Sequence, residues 1–247
     1  MNTMTNTKKK SNEGALKFDK NTKVGSSSYV GNGNRAGNST KVGNSLVTNR
    51  VFTIKSMAVM AMLSGVAILL MLFEIPLWFA PFFYKLDFSE VPVLIGAFTM
   101  GPVAGIIIEF VKILLNFATD GTYTMGIGEL ANFLIGCSLV VPASIIYAKK
   151  KTRKSAIQGL VVGTIFMAIM GGILNAFVLL PAFSFFTDKP VSAYIQMGTA
   201  VNPAISNMTT FVLLAVTPFN ILKGVVVSII TILIYKSLSK VIKTFTK

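Results

Sequence analysis

From residue 54 onward six apolar stretches follow one another with little between them, so most of this backbone has to be placed in hydrocarbon. They are Ile54–Phe73, Phe88–Met100, Val103–Phe117, Met125–Ala148, Ile157–Leu180 and Pro218–Tyr235. A bilayer core is ~30 Å thick and takes ~20 residues of helix, and inside it every backbone N–H and C=O must find its partner within the fold. Composition agrees. The chain is 53% hydrophobic and 13% charged, where soluble domains carry about 25% charged residues. An all-α integral membrane protein is the expected fold class.

The number of crossings turns on the stretch from Asp87 to Thr119. Its 33 residues would rise roughly 50 Å as one helix, too long for one crossing and short for two. Charge decides. Lys149-Lys150-Lys151 with Arg153 and Lys154 form the strongest basic loop, Lys236, Lys240, Lys243 and Lys247 crowd the C-terminus, and Lys55 precedes the first stretch. If all three regions are cytoplasmic, an even number of crossings separates each pair. A break at Gly101-Pro102 satisfies that condition, and both residues disfavour an uninterrupted helix. The expected topology is six transmembrane helices with both termini cytoplasmic.

The net charge of +14 does not mark a nucleic-acid binder. Nine of the 23 basic residues lie in the first 50 positions and most others sit at span ends, the distribution that orients a membrane protein. Residues 1–50, rich in Asn, Ser, Gly, Thr and Lys, read as a disordered cytoplasmic tail, with the echo Thr22-Lys23-Val24-Gly25 and Thr40-Lys41-Val42-Gly43 marking low complexity. Residues 51–247 form the membrane domain. Cys137 stands alone, so no intramolecular disulfide forms. The chain has no histidine, which removes His-based metal sites and Ser-His-Asp hydrolysis. No catalytic residue, metal or cofactor is expected.

Polar residues within the apolar runs are few. Glu109 and Lys112 stand three apart, an ion pair by spacing. Gly126-Ile127-Gly128-Glu129-Leu130-Ala131-Asn132 opens the fourth stretch; Glu129 and Asn132 share a face there, serving either interhelical hydrogen bonding or a site wall. Asn175 follows Gly171-Gly172. In Thr217-Pro218-Phe219-Asn220-Ile221-Leu222-Lys223 a helix is expected to start, with Thr217 as N-cap, Pro218 in the first turn, and Asn220 and Lys223 on one face. That start puts Lys223 one to two turns in from the outer mouth. The outward segments are aromatic (Trp78, Phe79, Phe82, Phe83, Tyr84; Phe183, Phe185, Phe186, Tyr194), and the long segment Pro181–Thr217 is expected to hold a short helix around Ala204–Val216. An aromatic cup with convergent amides and one cation is a small-molecule site, suited to a flat heteroaromatic ring. Small residues at Ala61-x-x-x-Gly65, Gly101-x-x-x-Gly105 and Gly159-x-x-x-Gly163 permit close helix approach, and an exposed stripe on the first span is a docking face for another membrane subunit.

Three runs carry a family resemblance: Phe83-Tyr84-Lys85-Leu86-Asp87-Phe88-Ser89-Glu90-Val91-Pro92, Gly126-Ile127-Gly128-Glu129-Leu130-Ala131-Asn132-Phe133, and Pro218-Phe219-Asn220-x-x-Lys223-Gly224. With Gly101-Pro102-Val103-Ala104-Gly105, they resemble the riboflavin-binding S component of energy-coupling factor (ECF) vitamin transporters, over nearly all of residues 52–240. The resemblance implies a multi-pass protein of a bacterial cell membrane that takes riboflavin from outside as transported ligand. It also implies a shared transmembrane scaffold subunit and two cytoplasmic ATPases as partners. Asn175, Asn220 and Lys223 match the family's flavin contacts. Phe83, Tyr84 and Asp87 from the first outer segment, and Gly128, Glu129 and Asn132 from the fourth span, complete the expected riboflavin-binding set. Ala58, Ala61 and Gly65 match the surface for the scaffold.

No Walker-type Gly-x-x-x-x-Gly-Lys-[Ser/Thr] run is present, so the chain is not itself the ATPase. The rival readings are an S component for another vitamin (folate, pantothenate or a nicotinate), a self-sufficient secondary transporter, and a membrane enzyme using Glu109 or Glu129. Inverted repeats, which the transporter reading predicts, are not visible in the sequence.

Overall fold

Residues 53–81, 84–122 and 125–246 are described by a computed structural model, with side chains as far as Lys236. The expected tail over residues 1–50 lies outside the described residues, as do Phe82 and Phe83. The chain runs through α1 (Ile54–Met71), the strands β1 (Ile75–Pro76) and β2 (Lys85–Leu86), α2 (Glu90–Met100), α3 (Pro102–Asp120), α4 (Ile127–Lys150) and α5 (Arg153–Leu174). Then come α6 (Leu180–Thr187), α7 (Val191–Val201), α8 (Met208–Phe211) and α9 (Thr217–Thr246). Two π-helical turns, Asn175–Leu179 and Val212–Val216, join α5 to α6 and α8 to α9 without interruption.

The break at Gly101-Pro102 is present. Gly101 has φ 108°, a conformation side chains rarely adopt, and Pro102 presets the first turn of α3. The piece before the break differs from expectation. Among the described residues, five helices are long and apolar enough to cross a membrane: α1, α3, α4 and the continuous runs Arg153–Thr187 and Met208–Lys236. The 11 residues of α2 rise only ~16 Å, about half a bilayer core. All but Thr99 and Met100 are buried, enclosed by α1, α3, α4 and α9. A helix surrounded by protein has no lipid thickness to match, which is how it stays short.

Two further boundaries are corrected, and proline explains both. The fifth span does not stop at Leu180 but continues to Thr187, and the last helix begins at Met208, not at Pro218. Its N-cap is Asn207, whose side chain accepts from Thr210 N at 2.9 Å while Thr210 Oγ1 accepts from Asn207 N. Thr217 is helical, at φ −63° and ψ −50°. Proline in a helix clashes with the carbonyl four residues back. For Pro181 and Pro218 those carbonyls belong to Phe177 and Leu214, both inside the π turns. The wider turn makes room, so a residue that reads as a helix start lies within one. The short helix expected around Ala204–Val216 is α8 with its π turn; α7 was not foreseen.

Glycine sets the closest contact between helices. A Cβ on Gly159 would stand 2.5 Å from Ala143 O, and one on Gly163 would meet Leu139 O, so α4 and α5 lie backbone to backbone. The apolar side chains separate into two cores. One fills the bundle around Leu94, Ile108, Leu139, Leu160 and Val227. The other gathers Ala80, Tyr84, Tyr194, Ile205, Phe211 and Phe219 at one end. Large exposed apolar residues such as Met62, Phe110, Leu114, Val161, Ile165 and Ile229 coat the outside, as a surface solvated by lipid requires.

Candidate functional site

A cavity of about 210 Å³ is lined by residues of α1, the ribbon and its flanks, α4, α5 with its π turn, α6 and α9. The β1–β2 ribbon builds one wall. Its strands pair antiparallel, Ile75 opposite Leu86 and Pro76 opposite Lys85. Glu74 and Lys85 form an ion pair beside the ribbon. Buried Leu86 anchors the second strand, holding Tyr84 and Asp87 on either side of it. Tyr84 packs its ring against Phe219, centroids 5.2 Å apart, and against Phe211 at 6.3 Å. Burial pushes its phenol pKa up, so it stays a neutral donor.

Asp87 closes an Asx turn at the start of α2. Its Oδ1 accepts from Ser89 N at 2.9 Å and from Ser89 Oγ, and its Oδ2 accepts from Lys223 Nζ at 2.7 Å. Both partners of that last pair are buried. Burial pushes the Asp87 carboxyl up, but Lys223 and Lys112 nearby and the hydrogen bonds from Lys223 and Ser89 outweigh it, holding the pKa at about 2. Lys223 is therefore half of a buried ion pair, not the lone cation its sequence context implies, and its remaining N–H donors are what a ligand could use.

Asn175 and Asn220 sit on the two helices that carry π turns. Asn175 Nδ2 donates to Gly171 O at 2.8 Å, and its Oδ1 accepts from Tyr84 OH. Asn220 Nδ2 donates to Val216 O at 2.9 Å. Its Oδ1 makes no hydrogen bond among the described residues. Gly171 lets α5 approach this amide, since a Cβ there would stand 2.6 Å from Asn220 Nδ2.

Of the expected site residues, Asn175, Asn220, Lys223, Tyr84, Asp87, Gly128 and Asn132 all line the cavity. Glu129 does not; from the first turn of α4 it accepts from Thr122 Oγ1, in the segment before that helix, at 3.0 Å. Lys223 lies about four turns into its helix, not one to two, because that helix starts at Met208. Sequence reasoning missed Met71, Glu74, Lys85, Ile135, Met167, Leu179, Phe183 and Phe219. Phe219 stands inside the Pro-Phe-Asn run and Phe183 among the loop aromatics, so those two carried a signal; Met71, Ile135, Met167 and Leu179 look like any core residue.

Below the cavity the Glu109–Lys112 pair is present at 2.7 Å and gains a third member, Glu90, 2.8 Å from Lys112 Nζ. The three side chains are fully enclosed. Lys112 also donates to Ser89 Oγ at 3.3 Å, tying the triad to the Asp87 turn. Gly136 makes the space, since a Cβ there would overlap the Glu109 carboxylate. Among the described residues no cluster of His, Cys, Asp and Glu suited to a metal ion occurs.

Comparison with known proteins gives a consistent result. Residues 55–235 match the family model for the ECF transporter, substrate-specific component. The riboflavin transporter RibU of Staphylococcus aureus is 40% identical over 191 residues, which cover 76% of this chain and 93% of that protein. The riboflavin transporter FmnP of Bacillus subtilis is 33% identical over 183 residues, 74% of this chain and 90% of that protein. A solved S component of a bacterial ECF transporter superposes with a TM-score of 0.58 at 39% identity, covering 76% of this chain and 96% of that one.

Proposed function

The chain belongs to the substrate-specific components of ECF transporters, and we propose from that premise that it captures riboflavin outside a bacterial cell for ATP-driven uptake. The observation that carries the reading is the cavity beneath the ribbon. Aromatic faces of Tyr84, Phe183 and Phe219 suit a flat tricyclic ring, while Asn132, Asn220 and the Asp87–Lys223 pair offer donors and acceptors to its carbonyls and ring nitrogens. The names of similar proteins from two genera support the same ligand over folate, pantothenate or a nicotinate. At about 210 Å³ the cavity is below the ~300–1,000 Å³ of most small-molecule sites, so entry of riboflavin displaces lining side chains. The Tyr84–Asn175 hydrogen bond is the contact we expect to exchange.

We read six passes with both termini cytoplasmic, α2 serving as a half-length second pass. In support, Phe98 near the end of α2 packs on Tyr147 and Tyr235, at 4.7 and 5.6 Å between centroids, beside the basic residues that follow α4 and the basic end of α9. A scaffold subunit and two ATPases then supply the energy. On α1, Ala58 and Ala61 are exposed, and the space next to Gly65 is open for at least 4 Å. That face suits close approach of a scaffold helix.

Uptake tests the whole reading. A riboflavin auxotroph should grow on trace riboflavin when the chain is expressed with scaffold and ATPases, and not with the chain alone. Growth with the chain alone would favour a secondary transporter.

A further inference from the structure

At the end of the bundle away from the ribbon, a second cavity of about 620 Å³ opens between the ends of α2 and α4, the start of α5 and residues 232–236 of α9. It shares no lining residue with the first. Three cations line it: Lys151, Arg153 and Lys236. Lys151 adopts the left-handed conformation, φ 50°, that turns the chain from α4 into α5. Thr152 caps α5, its Oγ1 accepting from Ser155 N at 3.2 Å, so the positive end of a 22-residue helix adds to the cations. Tyr147 and Tyr235 share a hydrogen bond of 2.7 Å in the wall.

None of the three cations has an ion-pair partner among the described residues. The sequence has no acidic residue between Glu129 and Asp188 and none after Asp188. The counter-ion has to come from outside this part of the chain. From the same cavity an apolar groove of about 640 Å³ runs up between α5 and α9, Ile232 lining both. The groove reaches Leu213, 19 positions and ~28 Å away along the helix, more than the ~15 Å of hydrocarbon in one leaflet. Its walls are aliphatic, Leu160, Ile165 and Val225 among them.

A cationic pocket at an interface, continuous with an apolar groove longer than one leaflet is deep, has the chemistry of an amphiphile with an anionic head. We propose that the cavity and groove bind one anionic phospholipid, its phosphate held by Lys151, Arg153 and Lys236 and an acyl chain lying between α5 and α9. The groove is what selects a lipid over a soluble phosphate. Only the leaflet, not the site, rests on the orientation proposed above.

The test is lipid retention by the full chain. Purified in micelles doped with equal phosphatidylglycerol and phosphatidylcholine, the protein should retain phosphatidylglycerol preferentially by at least tenfold, measured by mass spectrometry. Each cation neutralised in a Lys151→Gln, Arg153→Gln, Lys236→Gln series should lower that retention roughly fivefold. The equal-charge control Lys149→Gln, Lys150→Gln, Lys154→Gln alters exposed residues outside the cavity and should leave retention unchanged. Size exclusion checks folding of each variant, and single substitutions serve if the triple variant fails to fold. Equal retention of the two lipids, equal loss in both series, or displacement of the lipid by excess glycerol phosphate would overturn the proposal. Flavin binding does not enter the readout, so this result stands or falls apart from the transport reading.

Discussion

Replacing Lys112 by methionine removes the one cation between two carboxylates that have no access to solvent. In the native arrangement Lys112 Nζ lies 2.8 Å from Glu90 and 2.7 Å from Glu109. Glu90 Oε2 and Glu109 Oε2 have no hydrogen-bond partner among the described residues, so the ammonium group is the main compensation both acids have. Breaking a buried ionic group by removing one partner costs about 3–5 kcal/mol. For a domain of this size each kcal/mol moves the melting temperature by about 2–4 °C. Lys112→Met should therefore melt roughly 6–20 °C lower in detergent, followed by size exclusion after heating. Substituting all three, as Glu90→Gln, Glu109→Gln and Lys112→Met, removes the charges together and should recover most of that loss, since neutral replacement of a buried ion group is often free of cost. A Lys112→Met protein that melts within about 2 °C of the native one would refute the reasoning.

Three further predictions concern the cavity. Lys223→Ala takes away a charged donor and leaves Asp87 without its 2.7 Å partner; riboflavin affinity should fall about 10–100-fold, read by flavin fluorescence, with the fold retained. Gly171→Val places a side chain against the Asn220 amide and should also weaken binding, whereas Gly65→Val meets open space and should spare binding while reducing uptake with the scaffold present. Because the Asp87 pKa is held at about 2, below its unfolded ~3.9, its contribution is present above ~pH 4 and lost as pH falls through 2. Binding titrations from ~pH 5 to 8 should thus show no transition from Asp87; a midpoint in that window that Asp87→Asn abolishes would mean the Lys223 pair does not form.

Local sequence rules found what local physics decides. The Gly101-Pro102 break follows from one glycine conformation and one missing N–H, and the Glu109–Lys112 pair follows from helical spacing. Glu90 escaped because it joins Lys112 across the break, from another helix. The Lys223–Asp87 pair bridges 136 positions, so each residue was legible as a site candidate and their pairing was not. The aromatic and amide residues of the site were visible because polar groups are rare in apolar runs, while Met167 and Ile135 carry no such mark. Both misplaced helix ends trace to proline, whose helix-starting preference gave way to π turns that only the folded backbone reveals. Glu129 sits in the first turn of α4, on the same helix as Asn132, but its carboxylate is taken up by Thr122 Oγ1 and not by the cavity.

The most direct test of the central claim is a titration of the purified chain with riboflavin, followed by quenching of flavin fluorescence. Saturable binding that Lys223→Ala weakens is the predicted result. No saturable quenching by riboflavin, together with thermal stabilisation of the same preparation by folate, pantothenate or nicotinate, would contradict it.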